Sequence, residues 1–228
     1  MELDDWDEIE IRRSAEYDEG DELDQEFDEF RTRLRESERF DTEAEVFDVP
    51  TLKALYKLVT DGVLDAIGSP VSTGKEANVF EAVGGREERD GLALKVYRIA
   101  TSGFDDMSYY LEGDPRFEGL SGKKDTVLAW VRKEFSNLER ASEAGVRVPE
   151  PFAVERNVLA MEFIGEDGER APQIREVELE NPDTAYEVVV EYVRRLHEAG
   201  LVHGDLSEFN ILVDDGDIVL IDMGQAVT

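Results

Sequence analysis

Apolar residues fall into a few clear periods along the chain. From Pro50 to Ala66, Leu52, Leu55, Leu58, Val59 and Val63 recur at three- and four-residue spacing. That pattern predicts a helix with Pro50 near its start and Gly62 near its end, and Gly68 breaks the chain beyond it. Alternation takes over in Val71 to Val83 and again in Leu92 to Tyr97, with Gly84, Gly85 and Gly91 marking the turn between, so two antiparallel strands are expected. Residues 101–122 hold no sustained period and read as a long connection, functional or mobile. A stripe of Val127, Val131, Phe135 and Leu138 predicts a long helix from Asp125 to near Gly145, with Arg132, Lys133 and Glu134 on its other face. After Pro149 and Pro151 come a strand pair ending in VLAMEFIG, a polar loop, and a helix from Thr184 to Ala199 that turns Ala185, Val188, Val189, Tyr192 and Leu196 inward.

Residues 1–48 differ from the rest. They are the most acidic stretch, with Leu23, Phe27, Phe30 and Leu34 at helical spacing, and are expected to be a partly disordered, solvating tail with one amphipathic helix. The 228 residues carry 56 acidic against 25 basic side chains, a net charge of −31. Self-repulsion of that size is tolerable where the Debye length shrinks to ~3 Å, at ~1 M salt, which implies a halophile's cytoplasm. It also argues against a broad nucleic-acid face, although local RNA contacts stay open. Cysteine is absent, which removes disulfides, thiolate nucleophiles and Cys-type zinc sites. No apolar run approaches ~20 residues and the first residues are acidic where a signal peptide would be basic, so no membrane partner is expected.

The segment LVHGDLSEFNILVDDGDIVLIDMG, residues 201–224, changes the picture. It sets Asp205, Asn210 and Asp222 around a strand, a turn and a second strand. Phosphoryl transfer needs one group to orient the attacking oxygen and others to hold Mg²⁺ against the phosphates. Asp205 suits the first task, as base or orienter, and Asn210 and Asp222 suit the second. The spacing follows the protein-kinase order H-R-D-x-x-x-x-N and D-F-G, here His203, Gly204, Asp205, Asn210, then Asp222, Met223, Gly224. His203 is expected to brace this turn rather than to move protons.

A nucleotide site can be traced upstream. STGKEANVF, residues 72–80, fails as a Walker A loop because Gly68 is misplaced and Glu76 stands where a hydroxyl is required. What remains is a strand, a tight turn and a strand, whose Ser72, Lys75 and backbone amides could cover phosphates. Lys95 in GLALKVYR points to the opposite face from Leu94 and Val96, into a cleft and toward α- and β-phosphates. Glu134 on the long helix is its chosen partner, with Glu139 the second choice. Met161 to Ile164 suit a hinge, with backbone groups of Glu162 and Ile164 at an adenine and Met161 packed beside it. Strands and a helix first, then helices carrying the catalytic turn, make a two-lobed α+β fold with ATP between lobes 49–164 and 165–228.

STGKEANVF, LALKVYR, FDDMSYYLEGDPRF, VRKEFSNLER, MEFIG, HGDLSEFN and LIDMGQ together resemble the RIO family of atypical serine/threonine protein kinases, in its Rio1 branch, from about Val46 to Thr228. The resemblance implies a protein-kinase-like fold, with an antiparallel N-lobe sheet plus long helix and a partial, mainly helical C-lobe. It implies ATP and Mg²⁺ as ligands, Lys95 on the phosphates, Asp205 as proton acceptor and Asn210 with Asp222 on the metal. It further implies autophosphorylation, with Ser108 a candidate, a part in maturing the small ribosomal subunit, and an ATPase cycle through a phosphorylated Asp222. The family continues into further carboxy-terminal helices, so the chain is expected to be a truncated form. A small-molecule phosphotransferase sharing the HGD turn, or a non-catalytic kinase-like assembly factor, are the alternatives.

Overall fold

The computed structural model describes residues 47–85, 91–99, 122–166 and 168–228, together with Phe30, Met107, Tyr110 and Leu111. Contacts divide the chain into Met1–Phe40 and Asp41–Thr228. Phe30 is helical, and the remainder of the Leu23, Phe27 and Leu34 stripe lies outside the described residues, as does Ser108.

The second unit opens with helix α1 (Val49–Thr60). Asp48 caps it, its side chain accepting the Thr51 N–H at 2.8 Å, and Pro50 occupies the first turn, where a missing N–H costs nothing. Gly62, at φ 73, ends it. The sequence pattern carries this helix on to Ala66, but Ala66 already belongs to strand β1 (Ala66–Thr73). The difference has a physical cause. β1 is an edge strand with Pro70 at a break in register and no buried residue, so it has no alternation to read.

β1 pairs with β2 (Ala77–Val83) through the turn Gly74–Glu76, the strand, turn and strand expected of residues 72–80, so the alternation over Val71–Val83 spans two strands. β3 (Leu92–Tyr97), β4 (Pro151–Glu155) and β5 (Val158–Glu162) complete an antiparallel sheet of order β1-β2-β3-β5-β4. Asn78, Phe80 and Ala82 are buried on one face of β2, leaving Ala77 and Val79 toward the cleft. Helix α1 packs on β4 and β5. Asn157, in the β4–β5 turn, ties it there: its amide donates to Thr51 Oγ1 at 3.0 Å and to the Tyr97 carbonyl at 2.8 Å.

Helix α2 (Lys123–Glu143) packs on β4 and β5 and on a 3₁₀ turn at Met223–Gln225. Contact on both sides gives it two buried faces. Lys133 (0% exposed) and Glu134 (1%), on the face other than the apolar stripe, are therefore interior as well. Part of the 101–122 connection also packs, since Met107 and Leu111 are helical and buried in the same core.

Beyond the sheet lie a small hairpin of β6 (Gly165–Glu166) and β7 (Glu169–Arg170), helix α3 (Pro182–Glu198), and the hairpin of β8 (Ile211–Asp214) and β9 (Asp217–Leu220). Leu196 of α3 is buried, with Ala185, Val188, Val189 and Tyr192 half-buried against the core. That core is shared. Trp130, Val131 and Leu138 of α2 and Leu159 of β5 join Leu196, Ile218, Leu220 and Met223 in one cluster, which keeps the hairpin registered against the sheet.

Asn157→Leu strips the Tyr97 carbonyl and the Thr51 hydroxyl of a buried partner. We expect a loss of about 1–3 kcal/mol in urea unfolding in molar KCl. An unchanged midpoint would mean that the turn does not anchor α1.

Candidate active site

Alternation on β3 decides where Lys95 goes. Leu94 and Val96 are buried behind the sheet, so Lys95 enters the cleft with Ala93 and Tyr97. Its Nζ lies 2.7 Å from Glu134 Oε1 and 3.1 Å from Asp222 Oδ1. The second Glu134 oxygen accepts a short hydrogen bond from the Tyr97 hydroxyl. Tyr97 was not foreseen, although its position two residues after Lys95 puts it on the same strand face.

The charges of this group are interdependent. Burial by itself pushes the Lys95 ammonium down, but Asp222 and Glu134 outweigh it and hold it well above an ordinary lysine. Lys95 in turn holds the Asp222 carboxyl below its ordinary value, against the effect of burial. Burial raises Glu134, opposed by Lys95 and assisted by Asp222, and burial followed by the Glu134 charge raises the Tyr97 phenol well above its usual range. An ammonium facing two carboxylates is thus fixed as a cation, with Asp222 fixed as an anion.

The catalytic turn is braced from inside. The Asp205 N–H donates to His203 Nδ1 at 3.3 Å, so Nε2 carries the ring proton and donates to the Ile221 carbonyl at 3.1 Å. Burial lowers the imidazole below its ordinary value, which keeps it neutral and fits the expected bracing role. Asn210 Nδ2 donates to the Asp205 carbonyl at 2.8 Å and to Asp205 Oδ2 at 3.1 Å. The Ile221 N–H donates to the Asn210 carbonyl at 3.0 Å, so the feet of the β8–β9 hairpin bring Asn210 beside Asp222, which adopts a left-handed conformation at φ 64. With its nitrogen engaged, Asn210 Oδ1 is left without a protein donor among the described residues.

A cleft of about 440 Å³ lies between these groups and the sheet. Lys95, Glu134, Asn210 and Asp222 line it, and so do Ser72, Lys75, Met161, Glu162 and Ile164. Asp205 is not in its wall and joins through Asn210. The Gly74 N–H closes the turn under Lys75 onto the Ala77 carbonyl at 3.0 Å, and a Cβ on Gly74 would stand 2.9 Å from that oxygen. At the hinge, the Ile164 carbonyl accepts from Ala171 at 2.9 Å, while its N–H has no protein partner among the described residues. The Glu162 side chain does not face the cleft chemistry. It forks onto Arg147 with two contacts of 2.6 Å, and the Arg147 carbonyl accepts the Leu220 N–H of β9 at 2.9 Å.

Arg147 and Gln173 escaped the sequence reading. Gln173 Nε2 donates to the Phe209 carbonyl at 3.0 Å, just before Asn210, and Arg175 lies over the Phe209 ring at 4.6 Å. Residues whose task is to hold others carry no spacing motif of their own.

The described residues hold no cluster of three or more His, Asp or Glu able to cage a metal alone. Mg²⁺ does not ask for one, because it keeps waters and binds through one or two carboxylates plus phosphates. One carboxylate and one free amide oxygen at the cleft fit that requirement.

The family model described as "RIO domain" matches residues 78–228. The chain is 58% identical over 230 residues to the RIO-type serine/threonine-protein kinase Rio1 of Haloferax volcanii, covering 99% of this chain and 77% of that one. The chain belongs to the RIO family of serine/threonine protein kinases. To the Rio1 protein of Methanocaldococcus jannaschii it is 41% identical over 206 residues, covering 87% of this chain and 70% of the relative. Among solved structures, the Rio2 kinase from Chaetomium thermophilum in an ADP/Mg²⁺-phosphoaspartate complex aligns at 25% identity with a TM-score of 0.58, covering 78% of this chain. A second Rio2 kinase structure from that organism aligns at 0.59. The chain spans 53% and 55% of those two structures. The kinase-like α+β architecture expected from the sequence is therefore the observed one. The matched RIO domain takes in every site residue named above from Lys95 to Asp222, and Ser72 and Lys75 precede it.

The folded His203 titrates below its ordinary 6.5, so as pH falls the unfolded chain takes up the proton first. Its stabilising contribution is complete above about pH 6.5 and is lost as pH falls toward the folded value. Urea midpoints compared across that window should fall more steeply for the parent than for His203→Gln. Equal slopes would show that the ring is not buried neutral.

Proposed function

We propose that this RIO-family chain binds ATP with Mg²⁺, transfers the γ-phosphoryl to serine or threonine hydroxyls, and also hydrolyses ATP by way of Asp222. The observation that carries the reading is the Lys95 ammonium held between Glu134 and Asp222, in a cleft that Asn210, bonded to Asp205, also lines.

In this reading the Ile164 N–H and the Glu162 carbonyl meet the adenine edge and Met161 packs beside the ring. Lys95 meets the α- and β-phosphates, and the turn with Ser72 and Lys75 covers them. Asn210 and Asp222 hold Mg²⁺, which supplies charge neutralisation at the phosphates. Asp205 accepts the proton of a serine hydroxyl as its oxygen bonds to the γ-phosphorus, and the bond to the β-phosphate oxygen breaks to release ADP. On the hydrolytic route a carboxylate oxygen of Asp222 takes the place of the hydroxyl, and water then cleaves the acyl phosphate to phosphate and free carboxylate. Lys95 keeps Asp222 ionised, as both a metal ligand and a nucleophile require. A Rio2 relative captured as an ADP/Mg²⁺-phosphoaspartate complex supports this second route.

We further propose, from the family resemblance, that the chain acts on the maturing small ribosomal subunit in the cytoplasm and phosphorylates itself, with Ser108 a candidate. The net charge of −31 and the Haloferax relative support a cytoplasm of molar salt. No helix among the described residues is long and apolar enough to cross a membrane.

Incubation with γ-labelled ATP and Mg²⁺ in molar KCl tests both routes. Hydroxylamine-labile label and phosphate release, lost in Asp222→Asn, are expected for the hydrolytic route, and acid-stable label on serine, lost in Asp205→Ala, for the kinase route. A folded, ATP-binding chain with neither would end the reading, and turnover appearing only with an added metabolite would favour a small-molecule phosphotransferase.

A further inference from the structure

Helix α2 faces the active site with more than Glu134. One residue before it and three after, Lys133 and Asn137 are both fully buried, and neither lines the cleft. Lys133 Nζ donates to the Gly224 carbonyl at 2.8 Å and to the Ala226 carbonyl at 2.6 Å. Asn137 Nδ2 donates to the Met223 and Ala226 carbonyls, each at 3.0 Å. These three carbonyls belong to the turn that follows Asp222. A 3₁₀ turn of three residues cannot satisfy its own acceptors, and here the Ala226 N–H to Met223 carbonyl bond, at 3.2 Å, is its closing contact.

The turn is also fixed sterically. A Cβ on Gly224 would stand 2.9 Å from the Trp130 indole nitrogen, so α2 lies directly against its backbone. On the opposite side Gly204 of the catalytic turn presses on Gln225, where an added Cβ would lie 2.6 Å from the carbonyl, and Val202 pairs with Val227. Asp222 holds a left-handed conformation, uncommon for a residue with a side chain, that persists only where its surroundings over-determine it.

We propose that Lys133 and Asn137 are positioning residues for Asp222, which make helix α2 and the metal-binding turn one body. The helix that presents Glu134 to Lys95 then cannot move without carrying Asp222 with it. Both carboxylates facing Lys95 are set by a single element. The inference relies on Asp222 holding Mg²⁺, as proposed above.

The test uses the full chain with Trp6→Phe, so that Trp130, packed on the turn, is the sole indole. Mg²⁺ is titrated in the presence of ADP and followed by Trp130 emission, alongside ATP turnover. Lys133→Met and Asn137→Ala are expected to raise the half-saturating Mg²⁺ by about 10-fold or more, as outer-shell substitutions at metal sites do, with metal-free ADP affinity little changed. Asn137→Ala removes two bonds without stranding a charge, so it carries the test if Lys133→Met does not fold. In an Asp222→Asn background Asn137→Ala should add nothing further to the Mg²⁺ requirement, whereas a purely structural role would give additive effects. Folded variants with the parent's Mg²⁺ dependence overturn the proposal. A parent that shows no Mg²⁺-dependent ADP binding instead removes the metal reading, and this inference with it.

Discussion

One ammonium holds the site together. Lys95 faces two carboxylates from distant parts of the chain, Glu134 on α2 and Asp222 after β9, at 2.7 and 3.1 Å. An ion pair in such a place is costly to desolvate and is retained where each charge is matched and hydrogen-bonded. The Tyr97 hydroxyl on the second Glu134 oxygen supplies that matching. Sheet, helix and hairpin must all be in register for the three charges to meet, so the fold and the active-site electrostatics are one constraint. The shared core that runs from Leu159 to Leu220 is what keeps that register.

A second set of contacts ties the segment Glu162–Ile164 to the turns that carry Asp205 and Asp222. Arg147 forks onto Glu162 at the hinge while its carbonyl holds β9, and His203 joins the catalytic turn to Ile221, next to Asp222. The hinge, the catalytic turn and the metal-binding turn therefore share backbone anchors rather than meeting only through a bound ligand. Preorganisation of this kind is where phosphoryl transfer gains most, since the reaction asks for placement and charge rather than covalent help from the protein.

The candidate site residues were legible because the chemistry proposed for them restricts both type and spacing. Lys95, Asn210 and Asp222 line one cleft, and Asp205 joins it through Asn210. The holding residues were not legible. In a chain this rich in charge, Lys133 looks like part of any solvated helix face, and only the turn packed against α2 makes it interior. Glu162 was foreseen for its backbone, while its side chain turned out to serve Arg147. Strand β1 began earlier than expected because an edge strand bearing Pro70 has neither burial nor alternation to announce it.

The placement of Lys133 and Lys95 divides the molecule's charge into two populations. The acidic exterior is bathed in mobile ions and changes its effective strength with every change in salinity. The interior amino groups are less open to those ions, Lys133 fully enclosed and Lys95 nearly so. A change in salinity therefore acts first on how the surface repels itself and its neighbours, and least on the contacts that the enclosed Lys133 makes.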